Sequence, residues 1–299
     1  MTSVLAIDIG GSTIRGARAT EDGLEEEPWA YTTETIDSAA TLVDRLDDAY
    51  DGIDAVGVAA AAIVDRDTNE LLDVTNWDGW DLTPLAETFS APLAVENDAD
   101  ASALGLKWHR DLDPAVDLAY LTISTGIGAG ILRNGDLVPS VEAGFVNINW
   151  DGDLEYAGVN DPWEGYAAGK QFPNRVREWL ANDDRGTTLS GTEDAREFFE
   201  AVYAGDHVAR DYYTELKRIN AAGIGTLANL FSIDVVKVGG GVALNHPDLV
   251  DYDDDPYALA PVSLEDYCML SPPTVELTSF GVDLELYGAA AAAFERLEA

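Results

Sequence analysis

Four short stretches combine glycines, hydroxyls and carboxylates in arrangements that could do chemistry. Asp8-Ile9-Gly10-Gly11-Ser12-Thr13 places an acid at the end of an apolar run, followed by two glycines and two hydroxyls. Such a turn offers backbone N–H groups to a phosphate, and it equally suits a tight hairpin whose Asp caps its own turn. Thr122-Ile123-Ser124-Thr125-Gly126-Ile127-Gly128-Ala129-Gly130 repeats that logic. It is neither the P-loop nor the dinucleotide fingerprint, because no Gly-Lys-Ser/Thr and no opening helix follows, and alone it also reads as a flexible hairpin. Glu96-Asn97-Asp98 stands at a strand-to-helix junction, where Asp98 could be reactive or simply cap the helix. In Val236-Lys237-Val238-Gly239-Gly240-Gly241-Val242-Ala243, three glycines permit close approach of a flat ligand or make a tight strand-to-helix turn.

The elements that must position these residues follow from periodicity. Val4 to Ile9 reads as a buried strand, Thr13 to Ala19 as its return, and Asp22-Gly23 as a hairpin turn. Ser38 caps a helix predicted through Ala49, with Leu42, Val43 and Leu46 on one face. Val56 to Ile63 is strand-like and leads through a polar turn at Asp65 to Asn69 into a Trp-rich loop, Thr75 to Asp81. Leu93 to Val95 is a strand and Asp98 to Trp108 a helix. After Asp111-Leu112-Asp113-Pro114 the pattern restarts. A strand from Val116 to Ser124, a glycine turn from Gly126 to Gly130 and a strand from Ile131 to Arg133 precede a turn at Asn134-Gly135. Helices are predicted near Glu164 to Leu180, Glu193 to Tyr203 and His207 to Phe231, then a strand from Val235 to Val238 and a closing helix from Leu284 to Leu297. Strand groups followed by helices, twice over, imply two α/β domains with a boundary near residues 108 to 115.

Composition narrows the classes. The 299 residues carry 17 Lys+Arg against 56 Asp+Glu, a formal net charge of −39, and the acids run from Asp8 to Glu298. A hydrophobic content of 46% with seven Trp and twelve Tyr argues for a packed protein rather than a disordered one. Asp outnumbers Glu, 35 to 21, and only four bases are lysine, which suits an acidic shell built for near-molar salt, where the Debye length is about 3 Å. Phosphate-backbone contact needs Lys and Arg, so nucleic-acid binding is excluded as a working class. No apolar run is long enough for a membrane span and no signal peptide opens the chain, so a cytoplasmic location is expected. A single cysteine, Cys268, rules out an internal disulfide framework and a thiolate cluster.

In their order and spacing the four stretches resemble the ROK sugar kinases, within the actin, hexokinase and Hsp70 superfamily, over nearly the whole chain. Tyr287-Gly288-Ala289-Ala290 also fits the family. The resemblance implies two ribonuclease H-like (actin-like ATPase) α/β domains, residues 1–110 plus 283–299 and residues 111–282, with the active site in a cleft between them. It implies ATP-dependent phosphorylation of a hexose, glucokinase-like at the 6-hydroxyl, with no nucleic-acid or membrane partner; a homodimer stays open. Asp8 to Thr13 and Thr122 to Gly130 correspond to the phosphate motifs, so Gly10, Gly11, Ser12, Thr13, Thr125, Gly126 and Gly128 would hold ATP. Gly240 and Gly241 correspond to the adenosine motif. Asp98 would be the general base, and Asn76, Asn97, Glu142 and Glu164 would contact the sugar. Asp8 would hold Mg²⁺ through water, since Mg²⁺ keeps several waters and uses few carboxylates.

Two departures matter. Phe145 stands where the family has a His that ligates zinc and touches the sugar, and Asn149 to Pro162 contains no cysteine where a zinc loop is expected. No structural zinc is therefore expected, and Trp150 and Trp163 are candidates to brace that loop. His109, His207 and His246 match no catalytic spacing and are read as surface residues. The alternatives are a non-catalytic sugar-binding or sugar-sensing relative, or a kinase for an amino sugar or sugar acid. A repressor would need a helix-turn-helix ahead of Asp8, for which seven residues leave no room.

Overall fold

The computed structural model describes residues 2–46, 50–66, 68–74, 80–108, 115–280 and 283–298. The fold is mixed α/β, in two compact units. One gathers Met1–Ala115, Gly130–Ser140 and Phe280–Ala299, and the other Val116–Ala129 and Val141–Ser279. No described helix is long and apolar enough to cross a membrane.

The first unit is built on strands β1 (Val4–Ile9), β2 (Thr13–Thr20), β3 (Gly23–Leu24), β4 (Trp29–Thr32) and β5 (Ala55–Ala60). A separate hairpin of β6 (Ala62–Asp65) and β7 (Glu70–Val74) follows, and β8 (Leu93–Asn97) completes the sheet in the order β3-β2-β1-β5-β8, with β4 on β2. β1, β5 and β8 are parallel neighbours, and β1–β2 is the antiparallel hairpin around the first glycine pair. All six residues of β1 are buried, and alternation divides them between two cores. Leu5, Ile7 and Ile9 pack with Leu42, Val56, Val58 and Leu85. Val4 and Ala6 join Ala55, Ala59, Ala101, Leu286 and Ala289. That second core is lined by small residues because two helices, α3 (Asp98–Trp108) and the C-terminal Leu284–Glu298, lie close together. A Cβ on Gly288 would stand 1.7 Å from the Ala101 carbonyl oxygen, so only glycine allows this approach.

The helix capped by Ser38, α1 (Ala39–Arg45), is shorter than the predicted one: Leu46 is already extended at ψ 98°, and Ala49 lies outside the described residues. Helix α2 (Thr83–Phe89) begins with proline in its first turn. The single strand predicted over Val56 to Ile63 is two, because Ala61 separates β5 from β6.

The second sheet runs β11-β10-β9-β14-β15, with β9 (Leu118–Ile123), β10 (Ile127–Arg133), β11 (Asp136–Val138), β14 (Val235–Gly239) and β15 (Thr274–Leu277). A two-stranded hairpin, β12 (Glu155–Tyr156) and β13 (Val159–Asn160), stands apart from it. The glycine turn is only Ser124 to Gly126; β10 begins at Ile127, so Gly128 and Gly130 are strand residues rather than turn residues. The helix predicted from Glu164 to Leu180 is broken into α4 (Trp163–Ala167), a 3-10 turn and α5 (Phe172–Ala181). Ala168 is extended at ψ 147°, and Pro173 restarts the helix in its first turn. Helix α6 (Ala195–Ala204) starts past the predicted Glu193 because Asp194 and Glu197 form a capping box. Helix α7 spans His207–Phe231, capped by Asp206 on the Val208 and Ala209 N–H groups, and α8 (Gly241–Asn245) follows β14.

Candidate active site

In the first unit, parallel pairing sets Ile9 beside Ala60 and Ala60 beside Asn97, so the Asp8 and Asp98 segments leave the sheet at the same, C-terminal edge. That edge is where open α/β sheets bind ligands. The turn after β1 has its acceptors taken. Thr13 O accepts from Gly10 N–H at 3.0 Å, Ser12 O from Thr33 N–H at 3.0 Å, and Gly10 O from the Thr33 hydroxyl at 2.8 Å. An anion approaching the half-buried glycines and the exposed Ser12 and Thr13 therefore avoids these three carbonyl oxygens.

Asp8 is buried and faces Arg15, its partner across the hairpin. Arg15 donates to Asp8 Oδ2 from Nη2 at 2.6 Å and from Nε at 3.1 Å. The same guanidinium lies 3.5 Å from Glu285 Oε2 and 3.6 Å from Asp283 Oδ1. Burial raises the Asp8 carboxyl above its ordinary range, against the pull of Arg15. Burial and then the Asp8 charge push Glu285 up to about 7. Neither Arg15 nor Glu285 stood out in the sequence, although the antiparallel register of a two-glycine hairpin would have paired Asp8 with Arg15.

The β8–α3 junction separates two roles that the sequence left joined. Asn97 is the cap: its Oδ1 accepts from the N–H groups of Ala99 at 2.9 Å and Asp100 at 3.4 Å, while its Nδ2 donates to Ala62 O at 3.1 Å. Asp98 is the first helical residue, half-buried, with Oδ1 accepting from Ala99 N–H at 2.9 Å and its carbonyl from the Ser102 hydroxyl. Glu96 is buried and held by Arg66 at 2.6 Å. Asn76 lies outside the described residues.

The second unit brings the other two glycine segments together. β9 and β14 are parallel, and Gly239 pairs with Thr122. Gly240 has φ +88°, and a Cβ there would stand 2.5 Å from Ile123 O, so glycine is required by backbone conformation and by space. Gly241 opens α8 and is exposed. The carbonyls of the second turn are capped as in the first: Gly126 O accepts from Ser124 N–H at 2.9 Å, Ser124 O from Gly169 N–H at 2.8 Å, and Thr125 O from Lys170 N–H at 3.3 Å. Glu164, 8% exposed, accepts from Ile127 N–H on Oε2 at 2.8 Å and from the Tyr156 hydroxyl on Oε1 at 2.9 Å. Glu142 is exposed just before a 3-10 turn, Ala143–Phe145.

The cysteine-free loop is braced by hydrogen bonds. Asp161 is buried, its Oδ1 accepts from the Tyr166 hydroxyl at 2.5 Å and Leu154 N–H at 3.2 Å, and its carbonyl accepts from Ile148 N–H. Trp163 is fully buried and donates from Nε1 to Asn220 Oδ1 at 2.9 Å, whereas Trp150 is 91% exposed and braces nothing. Phe145 stacks on Tyr156 with ring centroids 6.4 Å apart. His246 is not a bare surface residue, since its ring stacks on Phe199 at 3.8 Å and pairs with the Tyr203 hydroxyl. His207 is exposed, and His109 lies outside the described residues. Among the described residues no three His, Cys, Asp or Glu side chains are grouped to hold a metal ion.

The structure defines a mixed α/β protein with two glycine turns at strand ends, and comparison with known proteins makes its class specific. The ROK family profile matches residues 4–266, and the chain belongs to the ROK family. A glucokinase of Streptomyces coelicolor is 33% identical over 279 residues, 84% of this chain and 85% of that protein. A glucokinase of Aeropyrum pernix is 29% identical over 269 residues, 82% of this chain and 84% of that one. The crystal structure of a ROK family glucokinase from Streptomyces griseus, in complex with glucose and AMPPNP, matches with a TM-score of 0.70 at 25% identity, covering 98% of this chain and 99% of that one.

Proposed function

We propose that this protein is an ATP-dependent hexose kinase that transfers the γ-phosphoryl group of MgATP to the 6-hydroxyl of a glucose-like sugar. The observation that carries the reading is the pair of glycine turns, Gly10–Thr13 and Ser124–Gly126, each with one carbonyl bonded inside the turn and two held by a segment packed against it, Thr33 in the first and Gly169-Lys170 in the second. Turns fixed in this way would present their remaining N–H groups to phosphate oxygens without rearranging, which supports phosphoryl transfer that depends on positioning. The likeness to glucokinases, one of them bound to glucose and AMPPNP, supports the sugar and the nucleotide.

Asp98 accepts the proton of the attacking hydroxyl, from its half-buried place as the first residue of α3 beside the cap Asn97. Asn97, Glu142 and Asn76 hold the sugar; Glu164, expected with them, has its oxygens engaged by Ile127 N–H, the Tyr156 hydroxyl and Lys170. Gly10, Gly11, Ser12, Thr13, Thr125, Gly126 and Gly128 serve the phosphates, and Gly240 and Gly241 the adenosine. Magnesium arrives with the nucleotide. Asp8, whose Oδ2 is held by Arg15, would face it through water, since Mg²⁺ keeps several waters and uses few carboxylates. The protein works in the cytoplasm at high salt, without structural zinc. An ADP-release screen over hexoses, amino sugars and sugar acids in molar KCl tests the reading. Turnover of glucose with MgATP is expected. Turnover of an amino sugar or sugar acid alone would replace the substrate, and no turnover of any sugar would refute the kinase.

A further inference from the structure

A buried carboxylate beside a phosphate-binding turn is an electrostatic liability, because the nucleotide brings several negative charges to the same place. Glu164 creates that situation here. Its Oε2 sits on the Ile127 N–H at 2.8 Å, and a Cβ added to Gly126 would stand 2.8 Å from the same oxygen, so the carboxylate is packed directly against the turn. The counter-charge is Lys170, whose Nζ lies 3.0 Å from Glu164 Oε1. Tyr156 completes the cluster, donating its hydroxyl to that oxygen while its ring faces the ammonium at 5.2 Å.

Lys170 is tied to the turn by its main chain as well. Gly169 N–H donates to Ser124 O and Lys170 N–H to Thr125 O, so the residue supplying the cation also caps one of the turn's carbonyls and its neighbour another. Desolvation would lower the Lys170 ammonium, but its interactions with Tyr156 and Glu164 outweigh that and hold it above its ordinary range. The chain has only four lysines.

We propose that Lys170 is a positioning residue for the nucleotide: through its ion pair it neutralises Glu164 and holds that carboxylate on Ile127 N–H, so that the Ser124–Gly126 turn accepts the phosphates. The proposal rests on the kinase reading. Removing the ammonium leaves a buried, uncompensated negative charge at the phosphate turn. The loss must therefore appear in nucleotide affinity and must depend on Glu164.

The test is titration with Mg-AMPPNP in molar KCl, without sugar, alongside KM for MgATP. Lys170→Met is expected to raise the nucleotide Kd and KM by about tenfold or more, within the usual span of coupling between sites. Lys170→Arg, which keeps a cation on Glu164, should stay within about threefold of wild type. Adding Glu164→Gln to Lys170→Met should recover most of the nucleotide affinity, an effect that loss of Lys170 packing independent of Glu164 would not produce, and melting of the three proteins separates affinity from folding. A Lys170→Met protein binding nucleotide as wild type does, or a double variant no better than Lys170→Met, overturns the proposal. Should Lys170→Met not fold, the comparison is made in the Glu164→Gln background. There Lys170→Met should change affinity by no more than about twofold, and a tenfold loss overturns the proposal. Wild-type protein that neither binds Mg-AMPPNP nor phosphorylates any sugar overturns the kinase reading and this proposal together. Sugar phosphorylation by the wild type with Kd and KM for the nucleotide matched by Lys170→Met overturns this proposal alone.

Discussion

Replacing Asp98 by Asn isolates the proton acceptor, because the structure assigns helix capping to its neighbour. The cap of α3 is Asn97, whose Oδ1 takes the Ala99 and Asp100 N–H groups, and this is untouched by the substitution. The bond that Asp98 Oδ1 makes to Ala99 N–H is one an asparagine oxygen also accepts. The substitution also removes a negative charge favourably placed in the first turn of a helix, so stability should fall by about 0.3–1 kcal/mol. Loss of a positioned general base lowers turnover by roughly 10²–10⁴. The measurements are initial rates by coupled ADP release at saturating sugar and MgATP, and thermal melting in the same molar KCl. Asn97→Ala is the companion variant, expected to lose about 1 kcal/mol as a missing cap and to bind sugar more weakly. Wild-type turnover in Asp98→Asn would refute the catalytic assignment and most of the mechanism with it.

The acids distributed along the chain should make melting temperature rise steeply from dilute buffer to molar KCl, and a flat curve would remove the salt-adapted reading. Elemental analysis of the purified protein should find no stoichiometric zinc, and EDTA should stop turnover by stripping MgATP without lowering the melting temperature. Glu285, raised to about 7 in the folded protein, holds its proton more tightly there than in the unfolded chain, so it destabilises progressively as pH rises from about 4.5 towards 7. Glu285→Gln should consequently melt about 2 °C or more above wild type at pH 8 and close to it at pH 5; equal differences at both values would contradict the assignment. Gly240→Ala forces a Cβ to 2.5 Å from Ile123 O at a φ of +88°, and should lose stability and nucleotide affinity together, measured by melting and by AMPPNP titration.

Where local pattern and tertiary packing agree, the reading from residues alone was accurate. Val4–Ile9, Asp98–Trp108 and His207–Phe231 have the bounds their periodicity predicts, since each carries its own burial pattern and start signal. The errors fall where a local signal competes with a distant partner. Gly128 and Gly130 look like turn residues but lie in a strand, Gly130 because the backbone at Ala99 comes within 2.2 Å of where its Cβ would be. The long helix expected from Glu164 is interrupted because Gly169 and Lys170 bond their N–H groups to the second glycine turn instead of continuing the helix.

The sequence by itself determined the family, the four motifs and the acidic balance of the chain, because glycines, hydroxyls and charges keep their chemistry wherever the chain places them. It could not say which of two adjacent residues, Asn97 or Asp98, would cap α3, because both side chains can accept the same N–H groups and only the packed backbone chooses. Nor could it bring Glu285 and Asp283 to Arg15, or set Lys170 and Tyr156 together on Glu164. Those partners are separated by up to hundreds of residues and meet only when the sheets and helices close. Charge pairing is a property of distance and burial, and both are set by the tertiary fold.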